Sequence, residues 1–97
     1  VFAVIFISTL NPEAKGYEQM ANQMETEVGK MDGFISMASA RSEKGITVCF
    51  WEHLEGINAW KDHSKHQAAQ EKGRASWYLH YEIYICNVLE SRQYERN

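Results

Sequence analysis

Ninety-seven residues suit one domain and leave no room for two. A hydrophobic share of 44%, with three Trp, five Tyr and four Phe, can fill a core, and a formal charge of −3 with a pI near 5.8 argues against a nucleic-acid partner. The ten Lys and Arg are scattered, and the longest apolar run, residues 1–7, is too short to cross a bilayer and lacks a basic flank; no membrane contact or export is indicated, and the cytoplasm is the expected compartment.

Residues 1–10 form a β-branched and aromatic run that reads as the first strand. Asn11 and Pro12 suit an N-cap and a first helical position. From residue 12 to about 29, Tyr17, Met20, Ala21, Met24 and Val28 recur at helical spacing, opposite a polar face that includes Glu18, Asn22 and Glu25. Gly29 ends this helix and Asp32-Gly33 supplies a turn. Residues 34–42 and 45–52 read as a hairpin joined through 42–44. A second helical region, with room for a break, runs from near Leu54 to Gly73, and its apolar content is thin. A short helical turn is expected over 75–77, a last strand over 78–89 and a polar tail over 91–97. The order β-α-β-β-α-β is the ferredoxin-like split βαβ arrangement: an α+β domain spanning 1–97, with a four-stranded antiparallel sheet and both helices on one face.

Strand one is apolar on both faces. Phe2, Val4 and Phe6 share one side, while Val1, Ala3, Ile5 and Ile7 share the other. A sheet with one wet face should alternate apolar with polar. Helices can cover one side, and a second copy of the same sheet is the simplest cover for the other, which predicts a homodimer through sheet faces. Cys49 and Cys86 form no metal-type pair. In the usual strand order 4-1-3-2, strand one separates them by two strand spacings, about 9.6 Å, beyond the ~7 Å limit for a disulfide. Both are expected to be thiols.

The run GITVCFWEHLEGINAWKDHSKHQAAQEKGRASWYLHY, residues 45–81, resembles the antibiotic biosynthesis monooxygenase domain family. Trp51, Leu54, Ala59, Trp60, His63, His66, Ala69, Gln70, Gly73, Arg74, Trp77, Tyr78 and Tyr81 match its pattern in order. GYEQMANQME (16–25) and Gly33-Phe34 fit as well, so the resemblance covers nearly the whole chain. It implies a dimeric α+β barrel with one cleft per protomer between sheet and helices. It also implies oxygenation of polyketide-type phenols without metal or flavin, while more distant relatives degrade haem. Close relatives often carry Arg where this chain has Tyr84. The haem-degrading relatives carry an Asn on strand one, absent from residues 1–10, and a His where this chain has Gln70.

His63 and His66 follow Trp60 at helical spacing, so a helix would bring all three together. One imidazole could accept the proton of a phenolic substrate, because its ordinary pKa suits work near neutrality; the alternative is a structural pair. Trp60, Trp77 and Tyr81 could wall an aromatic pocket or fill core, and Trp51 and Tyr78 are expected in the core. Arg74 could bind a carboxylate or favour a helix C-terminus. Met20 and Met24 could face the cleft. No metal ligand set and no cofactor motif is present. Asp62 neighbours His63 in sequence but would point elsewhere on a helix. The functional expectation is a cofactor-independent monooxygenase for a small, aromatic or polyketide-like molecule. The alternatives are a non-catalytic dimeric small-ligand-binding or stress-response domain and, third, a haem-binding protein.

Overall fold

The β-branched and aromatic residues that follow Val1 have no helical periodicity to satisfy, and they extend as β1 (Phe2–Leu10). After it come α1 (Tyr17–Val28), the hairpin strands β2 (Phe34–Arg41) and β3 (Gly45–Trp51), α2 (Leu54–Asp62), α3 (Ser64–Lys72), a π-helical turn (Gly73–Trp77) and β4 (Tyr78–Asn87). The computed structural model describes residues 1–96. The sheet order is β2-β3-β1-β4, antiparallel throughout, which is the ferredoxin-like arrangement.

The first helix starts five residues later than its periodicity suggests. Asn11 caps a turn instead of a helix: its Oδ1 accepts from the Glu13 N–H at 3.1 Å, and its carbonyl accepts from Ala14 at 3.0 Å. Gly16, at φ 79°, then reverses the chain into α1. The second helical region is two helices. His63 is extended (φ −64°, ψ 132°), and its Nδ1 accepts from the Lys65 N–H at 3.2 Å, capping α3 as it ends α2. The final turn begins at Gly73, two residues ahead of expectation. A side chain there would strike the Tyr78 ring, which lies against the bare backbone. The last strand ends at Asn87, and 88–96 has no regular structure.

Cross-strand pairing sorts the sheet into rows. On the helix-facing side, Phe34, Trp51, Phe2 and Asn87 form one row, and Met37, Cys49, Val4 and Ile85 the next. Above these stand Ser39, Thr47, Phe6 and Ile83, then Arg41, Gly45, Ser8 and Tyr81. The core occupies the first two rows, where Trp51, Val28 and Ile57 are buried with Phe2, Val4, Met31 and Trp60 packed on them. Gly56 of α2 lets that helix approach, since a Cβ there would come within 2.7 Å of the Asp32 carbonyl and 2.8 Å of the Trp51 ring.

The outer side carries Ala3, Ile5 and Ile7 beside Ile46, Val48 and Phe50, flanked by Ala38 and Ala40. No helix covers it. Cys49 and Cys86 are free and pair with consecutive residues of β1, Val4 and Ala3, so they lie on opposite faces with a strand between them. Burial pushes the Cys49 thiol up to about 11, which leaves it unreactive.

Candidate active site

The helices cover the sheet unevenly. α3 packs on the π-helical turn, α2 and α1 more than on any strand, consistent with its lack of an apolar face. As a result the helix-facing residues of β4 remain open: Tyr81 is 37% exposed, Ile83 54% and Ile85 56%. Together with Phe6 they form an apolar strip on the side of the sheet where a core would be expected.

The α2–α3 junction gathers three of the residues singled out from the sequence. The His66 ring stacks on Trp60 with centroids 4.4 Å apart and planes 13° from parallel, and His63 lies 5.2 Å from the same indole. The break at His63 does not disperse them. His66 Nδ1 is 3.0 Å from the Trp60 carbonyl oxygen. A carbonyl can only accept, so Nδ1 carries the proton and Nε2 holds the free lone pair. Gln70 Nε2 lies 3.3 Å from the same Nδ1, and a protonated Nδ1 is matched only when that amide is turned to present its oxygen. Burial pulls the His66 pKa below its ordinary 6.5, against the carbonyl bond that favours the charged ring; the neighbouring His63 adds to the lowering. His66 is therefore a neutral imidazole of defined tautomer at pH 7.

Trp77 and Tyr81 belong to a different cluster. Trp77 is 4% exposed, donates its indole N–H to the Lys15 carbonyl at 3.0 Å and meets the Tyr17 ring edge-on. Tyr78 links Tyr17, Phe6 and Tyr81 through ring contacts of 5.3–5.8 Å. Burial, then the adjacent Tyr17, push the Tyr78 phenol far above its usual range, so it stays neutral. Met20 and Met24 are half-buried on α1, and Arg74 is exposed on the π-helical turn. Tyr84 lies on the outer face, donating to Glu82 at 2.7 Å, and Glu82 also meets His80 at 3.1 Å. Among the described residues no three His, Cys, Asp or Glu side chains converge as a metal site.

Ser8, Tyr17 and Arg41 form a further cluster that no motif in the sequence marks as a site. Arg41 Nη2 donates to the buried Ser8 Oγ at 2.7 Å and to the Tyr17 hydroxyl at 3.3 Å. The signal was the hairpin register, which sets Arg41 opposite Gly45. A separate hollow of about 600 Å³ borders the β1–α1 connection, between Leu10, Pro12, Gly16 and Tyr17.

No family model matches the chain. It is 37% identical over 98 residues to the uncharacterized protein YqjZ of Bacillus subtilis, covering 99% of this chain and 86% of that protein. It is 28% identical over 96 residues to jasmonate monooxygenase ABM of Pyricularia oryzae, covering 94% of this chain and 45% of the relative. The fold superimposes on SnoaB, a cofactor-independent oxygenase from Streptomyces nogalater, with TM-score 0.79 at 10% identity over 93% of this chain and 94% of the other. An antibiotic biosynthesis monooxygenase crystal structure gives TM-score 0.80 at 7% identity over 93% and 100% of the two chains. Sequence pattern, topology and these relatives agree, and the chain belongs to the antibiotic biosynthesis monooxygenase family.

Proposed function

We propose that the protein is a cofactor-independent monooxygenase for a small aromatic or polyketide-like molecule, bound over the apolar strip of Phe6, Tyr81, Ile83 and Ile85. The observation that carries this reading is the state of His66: neutral, with its tautomer held by the Trp60 carbonyl and its ring clamped on Trp60. Such a group is a ready proton acceptor. In the reaction Nε2 takes a proton from an acidic phenol or from the carbon conjugated with it. The resulting electron-rich anion passes one electron to O2, and the two radicals combine to form a C–O bond. The hydroperoxide, protonated by the imidazolium, then loses water to leave a carbonyl. One oxygen atom enters the product and the other leaves as water. No electron donor besides the substrate is required. His63 serves as the cap of α3 in this reading and tunes His66 from nearby.

The outer sheet face supports a homodimer as the working form, because it is apolar from β2 to β1 and uncovered by helices. The buried Trp77 favours a second reading, a non-catalytic binding domain in which that part of the cleft is closed. The test is oxygen uptake with an anthrone or hydroquinone-type substrate. A positioned base contributes ~10²–10⁴-fold, so His66→Ala should lower turnover by that factor and His63→Asn should not. Full activity in His66→Ala removes the base from the mechanism. Ligand binding without oxygen uptake by the unaltered protein selects the second reading.

A further inference from the structure

Arg41, Gly45, Ser8 and Tyr81 are consecutive partners across all four strands at one end of the sheet. Gly45 contributes no side chain to the row, and a Cβ there would collide with the Arg41 guanidinium, which lies across the empty position. Arg41 thereby reaches over β3 to β1. Nη2 donates to Ser8 Oγ at 2.7 Å and to the Tyr17 hydroxyl at 3.3 Å, and Nη1 donates to the Ser8 carbonyl at 3.4 Å. Every one of these acceptors is neutral. Among the described residues no carboxylate lies within ion-pair distance of Arg41. A guanidinium has five N–H groups, and these bonds leave some of them unused.

The surroundings are aromatic. The guanidinium carbon sits 5.3 Å from the Tyr17 ring centre, and Tyr17, Tyr78, Tyr81 and Phe6 follow one another in ring contact. Tyr81 stands one strand spacing, about 4.8 Å, from Ser8. The cluster is thus a positive charge with donors to spare, pinned in place and bordered by rings, with Tyr81 open to solvent.

We propose that Arg41, Ser8 and Tyr17, with Phe6 and Tyr81 as the apolar wall, form a binding site for the carboxylate of a small aromatic acid. The carboxylate takes the remaining guanidinium N–H groups, and the ring lies against Phe6 and Tyr81. The positive charge and a charge-assisted hydrogen bond hold the carboxylate, since both Nη2 hydrogens are already given to Ser8 and Tyr17. The site does not depend on the oxygenase reading; a non-catalytic domain would hold it equally.

The probes are naphthoate and its neutral isostere naphthamide, titrated calorimetrically at neutral pH. A charge-assisted hydrogen bond makes naphthoate about tenfold or more the tighter ligand. Arg41→Gln should abolish the preference, with naphthoate losing far more affinity than naphthamide, and Arg41→Lys should keep part of it. In the unaltered protein the preference should shrink at high salt, which decides the matter even if the Gln variant fails to fold. Equal affinity for the two probes, no naphthoate binding, a preference indifferent to salt, or its survival in Arg41→Gln would each overturn the proposal.

Discussion

His66 is where a single residue's chemistry can be read in two ways at once, as activity and as stability. Its folded pKa lies below 6.5, the value the unfolded chain would show. Between those two values the unfolded state holds more protons, so the stability contribution is complete above about 6.5 and falls as the pH drops toward the folded value. Urea midpoints measured from neutral to acid pH should therefore decline more steeply in the native protein than in His66→Gln. Activity should fall over the same acid window, because protonated Nε2 cannot accept a proton. An identical pH profile for the two proteins would show that His66 is not desolvated as described. The nearness of His63 to Trp60 was legible from their i, i+3 spacing, whereas the stack of His66 on Trp60 was not, because it forms where the chain breaks at His63. The His66 tautomer was not, because it depends on where a backbone carbonyl ends up after α2 breaks. Arg41 was illegible for a related reason: its partners, Ser8 and Tyr17, are 33 and 24 residues away, and only the register joins them.

At the level of elements, His63 decides the path from α2 to α3. Its Nδ1 satisfies one of the free N–H groups at the start of α3. His63→Ala should cost about 1 kcal/mol, as loss of a helix cap does, and His63→Asp should restore it. A calorimetric comparison of the three proteins checks this, and equal melting temperatures would refute the capping role. Gly56 pits two effects against each other. Gly→Ala inside a helix gains up to ~1 kcal/mol in propensity, but overpacking a core costs ~1–3 kcal/mol. The added methyl meets a backbone carbonyl and the fully buried Trp51 ring, neither of which can swing aside. Gly56→Ala should therefore lower the melting temperature by several degrees. Strands were readable because β-branched and aromatic runs have few alternatives. The start of α2 at Leu54 was readable too, but that of α1 was not: an Asn-Pro pair suits a turn as well as a cap, and the local hydrogen bonds of Asn11 decided for the turn.

For the whole molecule, β1 was legible as apolar on both faces, and the cross-strand pairs show which residues each face presents. One side meets α1 and α2; the other presents Ile5, Ile7, Ile46, Val48 and Phe50. If a second copy covers that side, light scattering should give twice the 11.2 kDa chain mass. An obligate interface of this kind buries ~2,000 Å² or more, and Val48→Asp, which places a charge in its middle, should yield monomers or unfolded protein. A native monomer at micromolar concentration would refute the arrangement.

The rows of the helix-facing side also bear on how this domain tolerates change. Trp51, Phe2 and Val4 anchor the helices at one end, while at the other only Tyr17, at the start of α1, reaches Arg41 over the buried Ser8, and Tyr81 and Ile83 stay open to solvent. Under the proposed site, most of the packing falls at the Trp51 end of the four strands and ligand choice at the open Tyr81–Ile83 end. Substitutions at Tyr81 and Ile83 can redraw what the protein accepts at little cost to its stability, whereas substitutions at Trp51 cannot. A saturation library sorted separately for abundance and for ligand binding should divide along this line, with the abundance losses at the Trp51 end and the changes in preference at the Arg41 end.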